Sequence, residues 1–395
     1  MSEKKSIAKG AIAQHADWKQ SVREILAQSL HTSVDLAILF ASGAYEEHFS
    51  DIVQQVRNET EAAILIGSSG RGVLGMGKEF ENEPALALLT LSLPEALLHP
   101  IYTTQKSLET YAHPEAWREY SSVSPEHVHA WLVLADPFRM DCQHLVTKIT
   151  QAYTDIPIFG CLTSNTHPKR HSSVFLNEKV YNEGGICLAV GGPYTLLSAI
   201  SQGCRPFGDP WTITKIQENG FVETLSHIPA YEALMSTFRT LPQDVQQRAM
   251  GNVIVGLAAD DQEEALSQKN VLLRGILSAD PQAGWVAFGA DIWLGQKIQF
   301  HIRDAQIADA DLQETLQQFD LAPENTHPVA GILGSCHSRG AALFGAPDHD
   351  ANMITEKFGP LAVAGFFCNG GVTSQGMKPI CRGFAASLAL FMEQQ

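Results

Sequence analysis

One phrase occurs three times in this chain, and it constrains the fold more than any other feature. Each copy is an apolar strand that ends in a glycine and a small residue, then a glycine-containing turn, then a second apolar strand. The copies read AAILIGSSGRGVLGMG before PALALLTLSL, IPIFGCLTSN before GGICLAVGG, and LAVAGFFCNGGVTSQG before GFAASLALF. A strand and a helix precede each copy. VDLAILFAS leads to a helix over residues 45–57, with Phe49, Ile52, Val53 and Val56 on one stripe. HAWLVLADP leads to a helix over 141–153, and VAGILGSC to one near 350–357. The spacing of the copies is unequal, which argues for duplicated domain halves and against a solenoid of fixed period.

Inside the second copy, the loop TSNTHPKRHSSVFLNEKVYNEG holds a short hairpin, VFLN against KVYN. Between the second and third copies the texture changes. YTLLSAISQGCRPFGDPWTITKIQ reads as strands about a Gly/Pro turn, and residues 231–240 and 309–319 read as helices. NVIVGLAAD, VLLRGILSAD, GWVAFGADI and KIQFHIRD crowd together as a meander. Residues 16–29 place Val22, Ile25 and Leu26 at helical spacing. The strands flanking each glycine turn are close enough to be hairpins, so an all-parallel sheet is excluded. The expected class is α+β, with mixed, largely antiparallel sheets and helices outside. The expected division is a lead-in helix over 1–32, a first domain over 33–225 and a second over 226–395.

Charge narrows the partners. With 27 basic and 43 acidic residues the chain carries −16, a field that repels nucleic acid and anionic lipid. No apolar run is long enough to span a bilayer, and MSEKKSIAKGAIAQ lacks the apolar segment of a secretory signal, so a cytoplasmic location is expected. The seven cysteines are scattered without a CxxC pair, which fits reduced thiols and argues against a disulfide frame or structural zinc. His127 with His129, and His167 with His171, are the close histidine pairs; they read as loop residues, and no metal or cofactor is expected.

The strand-end turns carry the candidate chemistry. Gly70 to Gly75 spells GxGxxG after a strand, but MGKEFENEP follows where a dinucleotide site needs a helix, so that reading is set aside. A glycine turn can instead present unpaired N–H groups to an anion. Gly67, Ser68, Ser69, Thr163, Ser164 and Asn369 would add backbone, hydroxyl or amide contacts, although such residues also stabilise turns by themselves. Arg71 and Arg339 follow Ser-containing turns, SSGRG and CHSRG, where either could clamp a carboxylate bidentately. Arg303 and Asp304 read as an ion pair or an interface contact. Cys161, Cys368 and Cys336 sit at strand ends, where a thiol could act as nucleophile or simply fill space. His337 adjoins Cys336, but neighbours on a strand point to opposite faces, so Arg339 is the expected partner.

These residues carry a family resemblance. VDLAILFAS, ILIGSSGRGVLGMGKEFENEPALALLTLSL, FGCLTSN, VFLNEKVYNEGGICLAV and ISQGCRPFGDPWTITK resemble the FIST N-terminal domain. GLAADDQ, VLLRGILSAD, GWVAFGADIWLGQKIQFHIRDA, GILGSCHSRGAALFG and VAGFFCNGGVTSQG resemble the FIST C-terminal domain. The resemblance runs from about Ser33 to Phe391 and implies a sensory module for a small polar ligand, amino acids being the suggestion, in signal transduction. Fused family members carry an output domain, whereas here only about 30 residues precede the first domain strand, so a stand-alone protein with an unnamed downstream partner is expected. Two rivals stay open: a thiol- or hydroxyl-dependent acyl or amide transferase using Cys336 or Cys368, and a ligand-free interaction module.

Overall fold

In the computed structural model residues 5–166, 172–259, 266, 271–323, 325–374 and 380–394 are described. The first repeat runs β1 (Ile7–Gln14), α1 (Trp18–Ser29), β2 (Leu36–Ser42), α2 (Phe49–Thr60), β3 (Ile64–Gly70), β4 (Gly72–Gly75), β5 (Lys78–Glu81) and β6 (Ala85–Ser92). The second runs β7 (Leu97–Thr103), α3 (Gln105–Thr110), α4 (Pro114–Ser121), β8 (Ala130–Ala135), α5 (Cys142–Ala152), β9 (Ile158–Leu162), β10 (Val174–Leu176), β11 (Lys179–Tyr181) and β12 (Gly185–Gly191).

The third repeat opens with β13 (Tyr194–Ser201) and is interrupted. The intervening stretch holds β14 (Arg205–Ile216), β15 (Val222–Leu225), β16 (Ile228–Pro229), α6 (Ala230–Arg239), α7 (Gln243–Ala249), β17 (Val253–Ala258), β18 (Val271–Ala279), β19 (Val286–Phe288) and β20 (Lys297–Ile302). After α8 (Ala305–Gln317) the repeat resumes with β21 (Thr326–Cys336), α9 (Ala341–Phe344), α10 (His349–Phe358), β22 (Ala362–Cys368), β23 (Gly370–Thr373), β24 (Ile380–Arg382) and β25 (Ala386–Gln394).

The sheet orders show the triplication directly. They are β1-β6-β2-β3-β10-β11, then β7-β12-β8-β9-β23-β24, then β13-β25-β21-β22-β4-β5. Each repeat gives four strands to its own sheet and lends a two-strand hairpin to another. Each sheet has one parallel pair, β2 with β3, β8 with β9, and β21 with β22, spanned by α2, α5 and α10. The strands flanking a glycine turn are therefore not hairpin partners, contrary to the expectation from connection length. β3 and β4 flank Arg71 yet lie in different sheets, and the hairpins are β4–β5 and β10–β11.

Burial explains the continuous apolar runs. Along β2, Leu36, Ile38 and Phe40 enter a core shared by all three sheets, while Ala37, Leu39 and Ala41 pack with Ile25, Ile52 and Val53 of the covering helices. In β8, Ala130, Leu132 and Leu134 enter the same shared core, and Trp131, Val133 and Ala135 pack with Leu145 and Ile149 of α5. A strand buried on both faces cannot alternate apolar with polar.

The chain forms two compact units: residues 1–201, 313–381 and 385–395, and residues 202–312 with 382–384. The expected cut at 225/226 and these units are different divisions, since β14 and β15 belong to the second unit and the C-terminal strands return to the first. The expected lead-in helix is α1, and a strand, β1, precedes it at the edge of the first sheet, antiparallel to β6. Within the second unit the strand order is β14-β20-β17-β18-β19-β15-β16. The expected meander holds for β17, β18 and β19, whereas β20 returns between β14 and β17. Its core gathers Val255, Leu257, Val286, Ile298 and Phe300 with Ala230 and Ala233 of α6.

Candidate functional site

The parallel pairings put the three glycine turns in register. Gly67, Gly160 and Gly365 sit opposite Leu39, Val133 and Leu333, and at each a Cβ would collide with that residue's carbonyl oxygen. Only glycine permits that approach. Counting four residues on from each gives Arg71, Ser164 and Asn369; counting two gives Ser69, Leu162 and Phe367.

These positions close a ring. The Arg71 N–H donates to the Phe367 carbonyl (3.3 Å), that of Asn369 to Leu162 (2.9 Å), and that of Ser164 to Ser69 (3.5 Å). Every repeat thus donates to another, and the three turns meet at one junction. Side chains reinforce it. Ser164 Oγ donates to the Phe367 carbonyl and accepts from the Arg71 N–H at 2.8 Å. Ser69 Oγ donates to the Ser164 carbonyl at 2.9 Å, and Asn369 Nδ2 to that of Thr163 at 2.9 Å. Thr163 N–H donates to Ala135 O, and its hydroxyl pairs with Ser172, which donates to Asp136. The turns were expected to offer unpaired N–H groups to a ligand. Those of Ser69, Arg71, Ser164 and Asn369 instead hold the repeats together, and that of Thr163 is taken up within its own repeat, because main-chain donors packed away from water must be paired.

The sequence-derived residues therefore separate by depth. Ser68, Ser69, Cys161, Thr163, Ser164, Cys368 and Gly67 are buried. The Ser68 hydroxyl, fully buried, has no hydrogen-bond partner among the described residues. Asn369 is half-buried and Arg71 is exposed, its Nε donating to Asn82 Oδ1 at 2.7 Å. Arg339 does clamp a carboxylate bidentately, but an internal one: Nε and Nη2 reach the Asp350 oxygens at 2.7 and 2.9 Å, with both side chains buried. Nε and Nη2 are thus engaged within the fold. Burial alone would raise the Asp350 carboxyl, but Arg339, His349 and Ser335 hold it well below the usual carboxylate range.

The third repeat is chemically distinct from its sisters. Cys336 and Cys368 are register partners at the ends of β21 and β22. Three residues on from the aligned glycine pairs, the first repeat has Ser42 with Gly70 and the second has Asp136 with Thr163. The strand stops at Cys336, so the turn that follows frees His337 from strand alternation, and its side chain pairs with Cys336. The expectation that His337 would point away from Cys336 is corrected on this ground. Burial pushes the Cys336 thiol up, yet the hydrogen bond and charge of His337, with Ser338, outweigh it and bring the thiol down to about 6. The bond to Cys336 raises the His337 imidazole against burial and the Arg71 charge. Ser338 Oγ lies 3.3 Å from Cys336 Sγ. Cys161 and Cys368 are hydrogen-bonded to each other, and that bond with burial raises the Cys368 thiol well above its ordinary range. The sequence signal for His337 and Ser338 was available as CHSRG immediately after a strand.

Other expectations resolve simply. GxGxxG continues into β4. His129 Nδ1 lies 3.2 Å from the Tyr194 carbonyl, and His167 with His171 lies outside the described residues. Asp304 pairs with Arg248 at 3.2 Å. Among the described residues no group of three or more His, Cys, Asp or Glu could hold a metal, and no helix is long and apolar enough to cross a membrane.

Comparison with known proteins supplies the family context. The FIST N domain model matches residues 35–227 and the FIST C domain model residues 230–373. An uncharacterized protein of Mycobacterium tuberculosis is 29% identical over 364 residues, 91% of each chain. Another, of Mycobacterium bovis, is 28% identical over 365 residues, 91% of this chain and 90% of that one. An F-box/LRR-repeat protein of Arabidopsis thaliana is 33% identical over 87 residues, 21% of this chain and 16% of that protein. Among solved structures, a cyanuric acid hydrolase from A. caulinodans covers 99% of this chain and 100% of its own at 10% identity and a TM-score of 0.32.

Proposed function

The chain belongs to the FIST family, and from that premise we propose that it is a sensory protein that binds a small anionic or zwitterionic metabolite, such as an amino acid, at the junction of its three turns. FIST domains are associated with sensing and signal transduction. The observation that carries the siting is the meeting of Arg71, Asn369 and His337 at the hydrogen-bonded ring. His337 N–H and Asn369 N–H both belong to that ring or its edge, donating to Cys368 O and Leu162 O at 2.9 Å each. Arg71 is exposed there, its charge is felt by His337, and His337 is itself exposed. The Arg71 guanidinium on a chain of charge −16 favours a carboxylate locally, and the His337 imidazole and Asn369 amide add directional contacts. The ring supplies rigidity, so a ligand bridging two turns would bias how tightly the repeats hold together.

A thermal-shift screen of amino and organic acids tests this. Metabolites that stabilise the wild type should lose most of that stabilisation in Arg71→Ala while the unliganded melting temperature changes little. Equal ligand responses in the two proteins would reject the site. A cytoplasmic location and a separate downstream protein are part of the same proposal, supported by the acidic charge and the family association.

A further inference from the structure

Independently of that ligand, we propose that Cys336 is a peroxide-reactive nucleophile whose oxidised form is resolved by Cys368, making the end of β21–β22 a reversible dithiol–disulfide site. Four observations support it. Cys336 and Cys368 face each other in the parallel register, and adjacent strands lie about 4.8 Å apart, inside the Cα range of about 4.4–6.8 Å that a disulfide accepts. Both side chains lie on the face of β21 and β22 that carries Ile332, Ala364 and Phe366 into the shared core, so they point the same way. Gly334, on that face, leaves room for sulfur: a Cβ there would run into Cys161 Sγ and lie 3.4 Å from Cys368 Sγ. Finally, Cys336 has a cationic partner in His337 and a hydroxyl neighbour in Ser338, and neither sister repeat has a thiol at that place.

The chemistry balances with a hydroperoxide as oxidant. The Cys336 thiolate attacks one peroxide oxygen, the O–O bond breaks, and sulfur is oxidised to sulfenic acid. The departing oxygen takes the His337 proton and leaves as water or an alcohol. Cys368 sulfur then attacks the sulfenic sulfur; the S–S bond forms, the S–O bond breaks, and water leaves with the thiol proton. Two thiols and one hydroperoxide give one disulfide and two molecules of water, or one of water and one of alcohol. Cys336 is 4% exposed, which suits a small oxidant better than a bulky acyl donor and separates this step from the acyl-transfer alternative.

The test treats the whole protein with one equivalent of hydrogen peroxide, with and without dimedone, and maps cysteines by mass spectrometry. The wild type should lose two hydrogens and yield a Cys336–Cys368 cross-linked peptide, reversed by dithiothreitol. Cys368→Ser should accumulate a dimedone adduct on Cys336, and His337→Gln should slow oxidation by about tenfold or more. If the serine variant does not fold, the wild-type cross-link alone decides. A Cys161–Cys368 cross-link in place of the expected one, or oxidation of Cys336 no faster than that of buried Cys142 and Cys187, would overturn the proposal.

Discussion

At the scale of single residues, Arg339 and Cys336 stand three positions apart in one turn and do opposite things with charge. Arg339 is locked to Asp350 in a fully buried bidentate pair and lies over the Phe344 ring at 5.3 Å. Removing one partner strands the other charge, so Arg339→Ala should cost about 3–5 kcal/mol in denaturant unfolding, far more than Arg71→Ala. If the two variants unfold alike, the ion pair is not structural. Cys336 shows its partner kinetically. With its thiol at about 6, its alkylation rate should rise through about pH 6 and level off by neutrality, where an ordinary cysteine is still climbing. The groups bearing on it are His337, Ser338 and Cys368, and His337→Gln should move that rise upward. Sequence inspection found both residues but gave Cys336 the wrong neighbour, Arg339 in place of His337. CHSRG places a base beside a thiol, but strand alternation was carried one residue beyond the end of β21. The pairing of Arg339 depends on Asp350, in a helix whose docking no local pattern reveals.

Elements explain the junction's rigidity. Ser164 ties two turns through one hydroxyl, and Ser164→Ala leaves the Arg71 N–H with its weaker 3.3 Å bond to Phe367. The expected loss is about 1–3 kcal/mol of unfolding free energy, read from the denaturant midpoint. A neutral result would remove Ser164 from the account. A second coupling joins β5 to α9 and α10. Glu79 Oε1 accepts from the Ala351 N–H at 2.9 Å, Asp348 accepts from the Glu79 N–H at 2.7 Å, and Glu81 accepts from Ala341. Burial, then the Asp350 charge, raise the Glu79 carboxyl to about 7. The folded state therefore holds this proton more tightly than the unfolded chain, so stability falls as pH rises from about 4.5 to about 7 and is level beyond. Glu79→Gln keeps the acceptor and abolishes the titration. Between pH 5 and 8 its melting temperature should fall less than the wild type's, by an amount corresponding to about 3 kcal/mol. Parallel curves would show that Glu79 does not titrate in that window.

The whole molecule shows where sequence reading succeeds and where it stops. The threefold phrase was legible because each copy ends a doubly buried strand at a glycine whose Cβ would strike the neighbouring strand, as at Gly67 and Leu39. Helix α2 was legible from its stripe of Phe49, Ile52, Val53 and Val56, α5 and α10 from their place between two apolar strands, and the pairing of VFLN with KVYN from its turn. β1 was missed because IAKGAIAQ is a half-exposed edge strand carrying a lysine and a glycine, with little apolar signal. The exchange of hairpins among sheets was also missed. It depends on pairings such as Val174 with Ser68, over a hundred residues apart, and local spacing holds no record of them. The same limit applied to the turn amides, which looked free one turn at a time and are consumed once three turns are placed together.

Hydrogen exchange on the whole protein, with and without a metabolite that raises its melting temperature, tests the central claim most directly. A ligand seated at the junction should slow exchange together in the peptides carrying residues 69–72, 163–165, 335–339 and 367–370, and much less in the helices. Protection confined to one of these turns, or appearing only in the second unit, would contradict a shared site built by all three repeats.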